Sequence, residues 1–136
     1  MGEREESQVS TFGYELLRDH VLTSILGKHE KDILYWAGKD LARKFPLYSM
    51  EEAVSFFHEA GWGKLELEKS TKDSLSYLLH MYHLPPSGVN RCHSLEAGFL
   101  AEQHQKIEGY LTECYDESTK KTGIVSFLIK WDTKSK

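Results

Sequence analysis

Cysteine is scarce: only Cys92 and Cys114 occur among the 136 residues, far apart and in no CxxC spacing, so no disulfide framework holds the fold. The start of the chain shows no charged n-region followed by an apolar h-region, which makes a reducing cytoplasm the expected location. Long apolar runs are missing too. Charges interrupt every stretch within about ten positions, short of the roughly 20 apolar residues a membrane helix requires, so no membrane span is expected. Basic residues are not in excess: 17 Lys and Arg stand against 21 Asp and Glu, giving a net charge of −4 and a sequence pI near 6.0. They are spread along the chain without forming a stripe, which argues against nucleic acid as a partner.

What the chain has is the means to build one core. Apolar residues make up 40% and aromatic residues 12%, with Trp36, Trp62 and Trp131 among them, and a globule of this length hides roughly two-thirds of the surface its unfolded form exposes. Residues 1–10 are polar with a single valine and read as a tail, as do residues 133–136. A single domain over residues 11–132 is expected.

Hydrophobic rhythm divides that domain. Phe12, Leu16, Leu17, Val21, Leu22 and Ile25 recur at helical steps before Gly27, and Ile33, Leu34, Ala37, Leu41 and Phe45 repeat the pattern until Pro46 forbids continuation. Ser49 and Glu52 have capping-box spacing, which predicts a third helix from Met50 with Ala53, Val54, Phe56, Phe57 and Ala60 toward the core and a stop at Gly61. The period then changes to two. Leu65 and Leu67 alternate with charges, and Leu75, Tyr77 and Leu79 alternate again after a turn at residues 70–73, as expected of a hairpin. The Pro85-Pro86-Ser87-Gly88 loop ends it. Residues 92–108 read as a fourth helix closed by Gly109, and two further strands lie near residues 110–115 and 124–131. The order α-α-α-β-β-α-β-β predicts an α+β fold: a four-stranded antiparallel sheet with helices on one face.

Three blocks carry a resemblance: YWAGKDLARKFP at Tyr35 to Pro46, FFHEAGWGKL at Phe56 to Leu65 and CHSLEAGFLAEQ at Cys92 to Gln103, with IKWD at Ile129 to Asp132 near the end. The chain resembles the bacterial YslB-like family, a domain of unknown function. That family is in turn distantly similar to the V4R (vinyl four reductase) domain, the TRAPP vesicle-tethering subunits and the haem-based nitric oxide sensors. Gly61-Trp62-Gly63, the glycine-containing fourth helix and Glu113-Cys114 carry this wider likeness, which implies a ligand-binding fold of helices and antiparallel sheet. V4R domains tend to carry a further cysteine in the last strand, where this chain has Val125-Ser126-Phe127, and the Tyr-x-Ser-x-Arg motif of the haem sensors is missing. Neither a cysteine-based metal or redox site nor haem is therefore expected, and the fold does not fix function.

The fourth helix holds the most informative anomaly. Cys92, Leu95, Phe99, Leu100 and Ile107 span one apolar arc, and Glu96 and Gln103 fall inside it. A carboxylate directed into a core has to be paired or protonated. Arg43 is the preferred partner and Arg91 the alternative. The pair reads either as an interior tie between helices two and four or as a polar handle in a pocket. Gly38, on the apolar side of helix two, implies close approach of a backbone or a ligand tail against Ala97, Gly98 and Ala101. Trp62, Phe99 and Leu100 complete the candidate pocket or helix-packing set. Cys92, near a helix start, is the only candidate nucleophile or acylation site, against the commoner reading of an inert buried thiol; Cys114, in a strand, reads as core. His80-x-x-His83 and Cys92-His93 do not converge by spacing, so no metal site is expected, and Gly61-Trp62-Gly63 lacks the Lys-Ser/Thr of a phosphate loop.

No nucleophile–base pair and no paired carboxylates can be placed. The expectation is a non-catalytic binding module without a cofactor: a homodimer formed through its helices that recognises another protein, or a sensor or carrier enclosing a small apolar, acyl-like ligand.

Overall fold

A computed structural model describes residues 11–134; the tail expected over residues 1–10 lies outside the described residues, as do residues 135 and 136. Helix α1 covers residues 11–26, with a π-helical stretch at Leu16–Val21 inside it. A 3₁₀ turn at Gly27–His29 leads into α2, Glu30–Lys44. Then follow α3 (Glu52–Glu59), β1 (Lys64–Ser70), β2 (Ser74–His80), α4 (Ser94–Glu108), β3 (Thr112–Ser118) and β4 (Ile124–Trp131).

The four strands form one sheet in the order β1-β2-β4-β3, antiparallel throughout. Leu79 lies opposite Val125, Tyr77 opposite Phe127 and Cys114 opposite Ile129, so one face gathers the side chains the alternation marks as inward. The first hairpin is as the sequence predicts, and the second forms with β3 beginning and ending two to three residues later than the expected 110–115, because Asp116 to Ser118 still pair with β4. Leu67 is the exception in β1: it faces the same side as Tyr77, but the register shifts just beyond it and it stays exposed at the sheet edge.

Helix α4 runs between this sheet and α2, and every residue from 96 to 104 on it is buried. It is therefore a central helix and not one with a single apolar arc. Its crossing with α2 is made on two glycines. A Cβ on Gly38 would collide with the Leu95 carbonyl oxygen and stand 2.7 Å from the Phe99 nitrogen, and a Cβ on Gly98 would collide with the Tyr35 carbonyl oxygen. Helix α3 packs on β1, where Phe57 meets Trp62 edge-on at 4.9 Å and Phe56 stacks on Phe99 at 4.4 Å.

Two details of α3 differ from expectation. Residues 50 and 51 form a turn, so the helix starts at Glu52, whose carboxylate accepts from the Tyr48 and Ser49 amides; Ser49 makes no reciprocal side-chain bond. Val54 and Ala60 are exposed, because a helix this short buries only the stripe of Ala53 and Phe57.

Candidate functional site

The first helix is attached in an unexpected way. Its π-helical stretch, in which Leu22 N–H bonds the Leu17 carbonyl five residues back, turns the adjacent Arg18 and Asp19 inward together. Arg18 is only 4% exposed. It donates to Glu96 Oε1 and to the Cys92 carbonyl, each at 2.9 Å, and to the Tyr14 hydroxyl at 2.7 Å. Arg91, in the segment before α4, forks onto both oxygens of Asp19 at 2.8 Å and donates to the His83 carbonyl at 2.7 Å. The Tyr14 ring lies against both guanidiniums, 4.9 Å from that of Arg91 and 5.5 Å from that of Arg18.

Two cations and two anions are thus enclosed with matched charge. Burial opposes ionisation of Glu96, but the Arg18 guanidinium and then the hydrogen bond from His93 outweigh it and hold the carboxyl down at about 2. His93 Nδ1 stands 3.2 Å from Glu96 Oε2. An ionised carboxylate only accepts, so Nδ1 carries the proton. Burial pushes the Tyr14 hydroxyl up to about 12 despite the neighbouring Arg18, so it remains a neutral donor and acceptor.

With charge facing inward, the apolar side of α1 faces out. Phe12, Leu16, Leu17, Val21 and Ile25 are all exposed, Ile25 by 73%, and Ile33 and Trp36 of α2 join them, Trp36 at 61%. These are residues whose helical spacing otherwise signals a core, and among the described residues they leave a large apolar area without cover.

The sequence-derived candidates fall into separate places. The expected pairing of Glu96 with Arg43 is corrected: Glu96 holds Arg18 and His93, while Arg43, with a side chain 49% exposed, bonds Glu102 at 3.1 Å. The α2–α4 crossing places Arg43 near the middle of α4, six residues or about 9 Å beyond Glu96. Arg91, the alternative partner, is spent on Asp19. Gln103 is fully engaged: its carbonyl oxygen accepts from Leu47 N, and its amide donates to the carbonyls of Ala42 and Phe45, satisfying the end of α2. Gly38, Trp62, Phe99 and Leu100 are buried in the helix crossing and the aromatic cluster. Cys92 is half-buried beside the Arg18 contact, and Cys114 is buried in β3, where burial pushes its thiol well up.

Arg18 and Asp19 escape sequence reasoning because their partners lie 78 and 72 residues away, and Tyr14, bonded to Arg18, escapes with them. The available signal is that Tyr14 and Arg18 stand one turn apart on a helix whose apolar side is already complete. Among the described residues no group of three or more His, Cys, Asp or Glu side chains gathers as a metal site, and no helix is long and apolar enough to cross a membrane.

Comparison with known proteins adds three findings. A family model described as "Protein of unknown function (DUF2507)" matches residues 11–130. The uncharacterized protein YslB of Bacillus subtilis is 41% identical over 137 residues, covering 96% of this chain and 90% of that protein. Two solved structures share the fold. One is a vinyl-4-reductase family protein from Methanocaldococcus jannaschii, with TM-score 0.59, 20% identity and coverage of 73% of this chain and 68% of that one. The other is trafficking protein particle complex subunit 3 from Naegleria fowleri, covalently bound to palmitic acid, with TM-score 0.60, 10% identity and coverage of 95% and 99%.

Proposed function

Since the chain belongs to the DUF2507 family, in which YslB is its uncharacterized relative, we propose that it acts without catalysis, as a binding module that pairs with a second copy of itself through α1 and α2 and offers the pair to a protein partner. The observation that carries this reading is the orientation of α1. Large apolar side chains from Phe12 to Ile25, with Ile33 and Trp36, face solvent while Arg18 and Asp19 are sealed inside. Covering such a face removes apolar area from water at about 25 cal/mol per Å², and a symmetric pair is the commonest way for identical chains to do so.

The test is the mass in solution. Light scattering after size exclusion at micromolar concentration is expected to return a dimer, and Leu17→Glu or Ile25→Glu, both at exposed positions, is expected to return a monomer with unchanged circular dichroism. A wild-type monomer over the whole range overturns the pairing.

The second reading, a carrier of an acyl-like ligand, draws on the palmitate carried by the trafficking subunit. It has less support in this chain, because the small-residue surfaces of α2 and α4 are filled by each other at Gly38 and Gly98. Native mass spectrometry separates the two: a stoichiometric surplus mass lost on denaturation favours the carrier.

A further inference from the structure

We propose that the cleft between the loop preceding α4 and the β3–β4 turn binds a small organic anion, a carboxylate or phosphate monoester on a short apolar body, with His93 as its principal anchor. The cleft has a volume of about 400 Å³, enough for a compact metabolite. Leu84, Pro85, Val89 and Ile124 give it apolar walls.

Its charge is the reverse of the chain's. The protein carries 21 acidic and 17 basic residues, yet among the described residues no Asp or Glu lines this cleft, whereas Arg91, His93 and Lys121 do. Arg91 has its donors committed to Asp19 and the His83 carbonyl, and its charge is balanced there. His93 differs. It is more than nine-tenths buried and still reaches the cleft, and Nε2 makes no hydrogen bond among the described residues. Its Nδ1 is tied to the Glu96 carboxylate, which Arg18 holds in turn. An imidazole fixed in tautomer and orientation by a carboxylate behind it is a positioned binding group.

A lone imidazole with no second ligating side chain is a poor metal site. An oxyanion suits it. The ligand oxygen and Glu96 then flank one imidazolium, each accepting from one ring N–H, the proton coming from solvent or from the acid form of the ligand. The turn is held for this by a bond from Met81 N–H to the Gly123 carbonyl at 2.9 Å, and by Gly123 at φ 84°, a conformation that disfavours any residue with a side chain.

The test titrates the full-length chain, labelled with ¹⁵N, with inorganic phosphate, phenyl phosphate and hexanoate while the His93 ring nitrogens and the backbone amides are followed. Saturable shifts of Nε2 and of amides in residues 87–91 and 119–123 are expected. A response to phenyl phosphate alone or to hexanoate alone assigns the head group. His93→Phe is expected to weaken binding about tenfold or more. Lys121→Glu, at an exposed position that leaves the fold intact, is expected to weaken it several-fold. Shifts that do not saturate, that spare the His93 ring, or that persist unchanged in Lys121→Glu overturn the proposal.

Discussion

Exchanging Arg18 for methionine removes the cation that keeps Glu96 ionised at 1% exposure. The shape of the side chain is roughly kept, but Glu96 is left as a buried charge with only His93 beside it, and the Cys92 carbonyl and Tyr14 hydroxyl lose their donor. Breaking a buried pair from one side costs about 3–5 kcal/mol. With a urea slope of about 1–3 kcal/mol per molar, the unfolding midpoint falls by about 2 M. Glu96→Leu strands Arg18 in the same manner and is expected to cost a similar amount. The combined Arg18→Met/Glu96→Leu variant removes both charges, so its loss falls short of the sum of the two by at least about 2 kcal/mol. Hydrogen exchange supplies the spatial check: in Arg18→Met the amides of residues 11–26 lose protection before those of α4. Additive losses, or single variants within about 1 kcal/mol of wild type, refute the argument that this pair docks the first helix.

Other consequences are open to measurement. Gly38→Ala forces α2 and α4 apart and is expected to lower stability by about 1–3 kcal/mol or more, whereas Gly13→Ala, with nothing within 4 Å of the added carbon, is expected to stabilise by up to about 1 kcal/mol; thermal or urea unfolding checks the opposite signs. Because the Glu96 carboxyl sits at about 2 in the fold against an ordinary 4.5, its ionisation stabilises the protein above about pH 4.5, and that contribution is lost as pH falls toward 2. Glu96→Gln is expected to show a flatter stability profile in that window than wild type, and equal slopes refute this. Native protein at pH 8 is expected to react with a thiol reagent at half-buried Cys92 and at Cys114 only after denaturation, since burial and then Asp116 raise the Cys114 thiol; a mass shift of two labels on the native chain contradicts it.

The strands and helices were legible because each is short and its apolar residues keep one period: Leu75, Tyr77 and Leu79 announce a strand, and Pro46 and Gly109 mark helix ends that the structure places at Lys44 and Glu108. The local pattern does not report which side of a helix faces inward when both sides have a means of being buried. Helix α1 has one greasy side and one charged side, and the charged side wins because Arg91 and Glu96 wait for it. The burial of Glu96 was legible from its place among Phe99, Leu100 and Cys92. Its partner was not, since the α2–α4 crossing sets Arg43 beside Glu102, and it is the inward turn of α1 that brings Arg18 to Glu96. The cleft above His93 is formed by two loops more than 25 residues apart in sequence, and no spacing rule joins them.

The fastening of the first helix also bears on synthesis. The residues that receive Arg18 and Asp19 emerge from the ribosome more than 70 positions later, and closing so long a span carries an entropic cost of its own. Helix α1 therefore cannot take its seat until residues 91–96 have emerged. Until that moment a nascent chain carries an amphipathic rod with both flanks free, and a second nascent or finished chain can meet it before its own body does.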